Sequence, residues 1–378
     1  MKITYIENVR IPSERAHAYQ ITTTCVWMAK LGHEVTLVNP DRTKQDVFTF
    51  FDWPKDVFTH VRIRCWDPLS WVPMALKGIG YALQRASFIR HVRPFVAKHQ
   101  TDIWYTRDLA MVDAFVDTTS ARWFLELHDE PTTNVERWNR VKDRIAGFIV
   151  ISQGLRLRLR ELGIAEHLIH VASDGFEPRE FERLYPRDSL RAKYAIPQDA
   201  FVVFYQGTFY RWKGLDRIIQ AWSRTNPNTH LVLIGGPDVE RHRIEELIPS
   251  EAKDRIHVIP YVPRKENIAT HPIGDIGLLA SSPDQKVAHS YTSPIKLFEY
   301  LAAGLPILAS DVPSSHDVLT NEVARFFGKG DEAFLEALAA VQADPEWVKL
   351  ASQRSRTFVE PYSWAERTKK ILHWIQSL

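Results

Sequence analysis

Two side chains of opposite charge, Lys296 and Glu299, lie three positions apart in Ser293-Pro-Ile-Lys-Leu-Phe-Glu-Tyr-Leu-Ala-Ala-Gly-Leu-Pro306. On a helix that spacing puts both on one side, where they can meet one ligand. The start of a helix, with free N–H groups and a positive dipole end, invites an anion, typically a phosphate. A carboxylate one turn further in repels phosphate but accepts hydrogen bonds from a diol. Phosphate beside a diol describes a nucleotide. A second cation, Lys213, sits in Gly207-Thr-Phe-Tyr-Arg-Trp-Lys-Gly214, between an apolar run and a helical pattern that turns Leu215, Ile218, Ile219 and Trp222 inward. A lysine there complements a diphosphate, and Gly207 lets the backbone approach closely. Taken alone, Lys213 also reads as an exposed lysine of a turn, and Arg211 divides evenly between ligand and solvent. His128 follows the apolar run Trp123-Phe-Leu-Glu-Leu127 and precedes Asp129-Glu-Pro131, at the mouth of a sheet. A lone histidine is more often structural than functional.

These residues need a scaffold of strands that deliver loops to one end. Ser293 can cap the helix, Pro294 suits its first position, and Gly304 with Pro306 ends it. Asp275–Ala280 reads as a buried strand before it, and Ile307–Ser310 resumes the sheet. Upstream, Ile3–Ile6, Val35–Val38, Asp102–Tyr105, Trp123–Leu127, Gly147–Ile151 and Leu168–Val171 are strands, with an apolar-periodic helix over 16–31 and helical patterns between most of the rest. Strands restart at Phe201–Tyr205, His230–Ile234, Ile256–Ile259, Ile276–Leu279 and Ile307–Ala309. This alternation predicts two doubly wound parallel sheets, joined by a linker near 176–195. The expected class is α/β: a Rossmann-like domain over 1–180, a second over 181–360, and a closing amphipathic helix over 361–378. Loops at the strand C-terminal ends of the two domains would face a cleft, the default ligand site.

Composition narrows the function. At 378 residues the chain exceeds the size of one core. A net charge of +2 is too small for a nucleic-acid protein. Cys25 and Cys65 sit in apolar stretches and read as buried thiols of a reducing compartment. Glu7 follows a very short apolar run, unlike a signal peptide, and no run approaches the roughly 20 residues of a membrane span, so a cytoplasmic location is expected. No Gly-x-Gly-x-x-Gly follows a strand, which weighs against an oxidoreductase. No Asp-x-Asp pair or Cys/His cluster suggests a metal. Between Leu69 and Thr101 there is no Asp or Glu, while Lys77, Arg85, Arg90, Arg93 and Lys98 are present and Trp66 and Trp71 lie nearby. Such a stretch is a solvated helix face or a surface that rests on anionic lipid.

The Gly207…Lys213-Gly214 loop, the Ser293–Glu299–Pro306 segment and Glu126-Leu-His-Asp129 resemble, in order and spacing, the retaining glycosyltransferases of the GT-B fold, in the family 4 group. The similarity extends to Lys30-Leu-Gly-His-Glu-Val-Thr36, Val150-Ile-Ser152, Ala172-Ser-Asp-Gly175 and the closing Tyr362-Ser-Trp364 helix. The resemblance implies two Rossmann-like domains, with the last helix packing back on the first. It implies a nucleoside-diphosphate sugar as donor, no cofactor and no metal, and a glycan or lipid-linked acceptor in surface polysaccharide synthesis. Peripheral contact with the inner face of the membrane through 66–98 accords with it. Carried over, Lys213 binds the donor diphosphate, Glu299 the ribose hydroxyls, and His128 the transferred sugar. Gly207, Thr208, Arg211, Tyr291, Thr292, Ser293, Ile295 and Lys296 complete the donor site. Glu14, Arg15 and His17, in the loop where relatives contact donor and acceptor, are acceptor candidates; Pro12-Ser13 equally just starts the first helix. Two positions depart from the family. Tyr291 stands eight before Glu299, where many relatives have a second glutamate, and Thr208 follows the loop glycine where many have arginine. A non-catalytic nucleotide-sugar binder, an epimerase or a phosphorylase on the same fold is the alternative.

Overall fold

The computed structural model describes residues 1–378 except 283 and 285–288. The chain divides into two units, each built on a parallel sheet. The first unit comprises Met1–Ile151, Leu155–Ala172 and Thr368–Leu378. Its strands are β1 (Lys2–Ile6), β2 (Glu34–Pro40), β3 (Thr59–Ile63), β4 (Ile103–Thr106), β5 (Arg122–Leu127), β6 (Gly147–Val150) and β7 (Ile169–Val171), in the order β3-β2-β1-β4-β5-β6-β7. Helices cover both faces, which is why the central strands are near-continuous apolar runs. Ile3, Tyr5, Leu37, Tyr105, Phe124 and Ile149 share one core with Ile21 and Cys25 of the Ala16–Lys30 helix.

The second unit comprises Ser152–Gly154 and Ser173–Arg367. It holds β8 (Phe201–Gln206), β9 (Thr229–Ile234), β10 (Ile256–Ile259), β11 (Ile276–Leu279), β12 (Ile307–Ser310) and β13 (Ala324–Phe327), in the order β10-β9-β8-β11-β12-β13. Each sheet therefore reverses direction beside its first strand, and the C-terminal end of that strand is where such sheets receive ligands. Val203 of β8 pairs with Leu231 on one side and Ile276 on the other. One core layer gathers Phe204, Phe298, Leu301 and Ile307, and the opposite layer Val203, Leu231, Leu278 and Trp222. No helix among the described residues is long and apolar enough to cross a membrane.

Several expectations need correction. The division falls after Ala172, not at 180/181; the closing helix does return to the first unit as expected, from Thr368 onward, where Ile371, Leu372 and Ile375 join its core. The stretch 176–195 is no linker. It carries the Arg187–Lys193 helix of the second unit, whose buried Arg191 donates to the carbonyls of Ile273, Gln198 and Ala200 and pairs with Asp275 at 2.9 Å. Edge strands β3 and β13 have no counterpart in the sequence reading. Both cysteines are free thiols, but only Cys25 is buried; Cys65 is half-buried. Ser293 does not cap the Ile295–Ala303 helix, whose N-cap is Pro294 with no side-chain cap. The Ser293 hydroxyl instead accepts the Asp174 N–H at 2.8 Å.

Candidate functional site

In the second unit, β8 is followed directly by Gly207, with φ of +126°, a conformation that L side chains rarely adopt. The loop is pressed against Gly235, where any Cβ would lie 2.7 Å from the Gly207 carbonyl oxygen. Tyr205 donates its hydroxyl to the Thr208 carbonyl at 2.8 Å. A single turn, Arg211–Lys213, then leads through left-handed Gly214 (φ +76°) into the Leu215–Ala221 helix. The Lys213 ammonium rests 3.7 Å from the centroid of the Trp212 ring, and burial pulls its pKa down to about 8.

The Ile295–Ala303 helix brings the opposing groups. It buries Leu297, Phe298 and Leu301 and stops at left-handed Gly304, φ +83°. Its Lys296 ammonium lies 3.6 Å from the Tyr205 ring centroid and 3.6 Å from where a Cβ on Gly207 would be. The Nζ atom is sealed from solvent with no hydrogen-bond partner among the described residues. Burial holds it well below the ordinary lysine range, Lys213 pushes the same way, and Glu299 opposes them. Glu299 is only 3% exposed. One oxygen accepts from the Gln206 amide, and the other pairs with Arg264 at 2.7 Å. Arg264 also grips Glu180 through two bonds of 3.0 and 2.8 Å. The result is two ammonium groups and one oriented carboxylate around a backbone that admits close approach.

In the first unit, β5 ends beside His128. Its Nε2 lies 2.6 Å from Oε1 of buried Glu126, whose Oε2 accepts the hydroxyl of Tyr105 on β4. Glu7, just beyond β1, accepts the Arg107 backbone N–H at 2.7 Å; burial, then Asp108, raise its pKa to about 8. His17 is half-buried near Arg107 and Arg15, and its pKa falls to about 4, mostly through burial. Glu14 and Arg15 are exposed.

The structure thus gathers Gly207, Lys213, Lys296 and Glu299, with Thr208 holding the loop. Tyr291 is buried, Thr292 and Ile295 are half-buried at the helix start, and Ser293 faces Asp174. Arg211 is exposed and lines a cavity of about 190 Å³ with Asp216, Ser310, Asp311 and Lys329. His128 and the loop residues Glu14, Arg15 and His17 belong to the first unit. Sequence reasoning gave no role to Gln206, Arg264, Glu126 or Tyr105. Only Glu126 had a local signal: an acid two residues before a strand-end histidine.

Residues 186–371 match the model of the family described as glycosyl transferases group 1. These residues form a group 1 glycosyltransferase domain. The group 1 domain contains β8 to β13 and every member of the lysine–glutamate cluster. Among curated proteins, the chain is 29% identical over 204 residues to the lipopolysaccharide core biosynthesis glycosyltransferase LpsD of Rhizobium meliloti (strain 1021), covering 52% of this chain and 53% of that one. It is 21% identical over 224 residues to D-inositol 3-phosphate glycosyltransferase 1 of Catenulispora acidiphila, covering 56% and 52%. The chain thus spans about half the length of the curated relatives it matches. Of solved structures, sucrose-phosphate synthase from Thermosynechococcus elongatus superposes with a TM-score of 0.78 at 18% identity, covering 100% of this chain and 98% of that one. HepE of Anabaena, in complex with UDP-glucose, gives 0.72 at 14% identity with both chains fully covered. At such identities the likeness shows the fold, and the fold is the GT-B one.

Proposed function

We propose that the chain is a retaining, metal-independent glycosyltransferase that moves a sugar from a nucleoside diphosphate to a glycan or lipid-linked acceptor of a bacterial surface polysaccharide. The observation that carries this reading is the placement of Lys213, Lys296 and Glu299 around Gly207. Two cations suit a diphosphate, and a carboxylate held by Gln206 and Arg264 suits the ribose diol. The leaving diphosphate oxygen takes the acceptor proton on the same face of the sugar, so the side chains position the donor and stabilise charge on the leaving group. The names of LpsD and of the UDP-glucose complex of HepE favour a UDP-sugar and a lipopolysaccharide-type acceptor as the first pair to test.

The 66–98 stretch supports peripheral membrane contact. Trp71 is 76% and Ile79 60% exposed beside exposed Lys77, Arg90, Arg93 and Lys98. This apolar and basic mixture suits an anionic lipid surface near a lipid-linked acceptor.

Calorimetry with a panel of nucleotide sugars, followed by turnover of any binder, tests the assignment. Lys213→Ala and Glu299→Ala are each expected to cost about 1.5–3 kcal/mol, roughly ten- to over a hundredfold. Full binding and turnover in both variants would sink the assignment. Binding without transfer would identify a non-catalytic protein, and epimer or sugar-phosphate products a different enzyme.

A further inference from the structure

We infer that Glu126 and Tyr105 are positioning residues that set the tautomer and charge of His128. The inference rests on the proposed role of His128 at the transferred sugar and adds what makes the imidazole fit for it. β4 and β5 pair in parallel, with Tyr105 opposite Phe124, so Tyr105 and Glu126 lie on adjacent strands near the end of the sheet. Glu126 is only 3% exposed, and both of its oxygens are engaged. One lies 2.6 Å from His128 Nε2 and the other accepts the Tyr105 hydroxyl. An ionised carboxylate has no hydrogen to give, so Nε2 carries the proton of this bond. Nδ1 is then the nitrogen whose protonation changes.

A carboxylate buried solely for packing is costly, and an apolar pair would fill the same space more cheaply. Here one carboxylate oxygen is committed to a ring nitrogen and the other to the Tyr105 hydroxyl. That is the logic by which an outer carboxylate orients a working imidazole and stabilises its cation. Beside ionised Glu126, His128 keeps its second proton to higher pH than it would alone. The neighbouring elements add further charge. Tyr5 of β1 packs against Tyr105 with the rings tilted by 47° and centroids 4.9 Å apart, and it feels Glu126, Arg107 and Glu7. The Tyr105 hydroxyl works against the histidine, because a donated hydrogen bond weakens the carboxylate as a partner for His128. The two positioning residues therefore act in opposite directions, a pattern that a packing role does not produce.

The test follows the ring nitrogens of ¹⁵N-histidine-labelled full-length protein by NMR, with the His128 signals assigned by their loss in His128→Asn. The wild type is expected to show the Nε2–H tautomer when neutral. Glu126→Gln is expected to lower the His128 titration midpoint by about one pH unit or more, a tenfold change in proton affinity. Tyr105→Phe is expected to raise it, which keeps the proposal falsifiable where the Glu126 variant folds poorly. An Nδ1–H tautomer, or a midpoint unmoved in both variants, overturns the proposal. These readouts need no sugar transfer, so they fail independently of the functional assignment. Once a donor and acceptor are in hand, the limb of the turnover profile set by His128 moves with the NMR midpoint. Normal turnover in His128→Ala would overturn the role of His128 at the transferred sugar on which this inference rests, while the NMR readouts judge the tautomer and charge separately.

Discussion

At Lys213 and Lys296, burial opposes the positive charge that a phosphate needs. Lys213 is held at about 8, well under the usual lysine value of about 10.4. A diphosphate binds the ammonium form, so binding draws a proton onto any lysine that has lost one. The sign follows: affinity for a nucleoside diphosphate is expected to fall as pH rises through about 8, with net proton uptake on binding at that pH. Titrations between pH 7 and 9, a range above the ligand's own phosphate ionisation, measure both effects when run in buffers of different ionisation enthalpy. Affinity unchanged across that range, with no buffer-dependent heat, would mean that neither lysine meets the phosphates. Lys213 and Glu299 were legible because each sits in a short motif with marked helix ends. Gln206 and Arg264 were not, since their work on Glu299 arises only when β8 and the helix after β10 fold against a third element.

Loop shape depends on glycine pairs as much as on charge. Gly207→Ala meets only the flexible end of Lys296 at 3.6 Å, although its φ of +126° still strains the loop. Gly235→Ala meets backbone: its Cβ would lie 2.7 Å from the Gly207 carbonyl at a φ of +115°. The Gly235 variant is expected to lose about 2 kcal/mol or more of second-unit stability and to weaken nucleotide binding as the Gly207 loop shifts. Chemical denaturation alongside calorimetry checks both; an unchanged midpoint would show that the contact relaxes freely. Most strands were readable as apolar runs bounded by turns, because parallel strands are covered on both faces. The two that were not, Thr-His-Val-Arg-Ile over 59–63 and Ala-Arg-Phe-Phe over 324–327, lie at sheet edges, where alternate or neighbouring positions meet solvent and break the run.

Over the whole molecule, a net charge of +2 conceals an uneven distribution, with five cations and no acid between Leu69 and Thr101. Cosedimentation is expected to show attachment to anionic vesicles, little to neutral ones, and release at high salt. Each basic residue at a lipid surface contributes about 1 kcal/mol, so Lys77→Ala with Arg90→Ala is expected to weaken binding roughly thirtyfold. Equal affinity for neutral vesicles, or none for either, would leave a solvated helix face. The two-sheet plan was legible in the alternation of patterns. The division after Ala172 was not, because Phe176 and the Arg187–Lys193 helix look like connecting chain until they are seen packed into the second unit. The return of Thr368–Leu378 to the first unit also fixes an order of assembly during synthesis. Ile371, Leu372 and Ile375 complete a core begun by Ile3 and Tyr5, yet they leave the ribosome after all of the second unit. The later-made unit can thus finish folding first, while the earlier one waits for Thr368–Leu378.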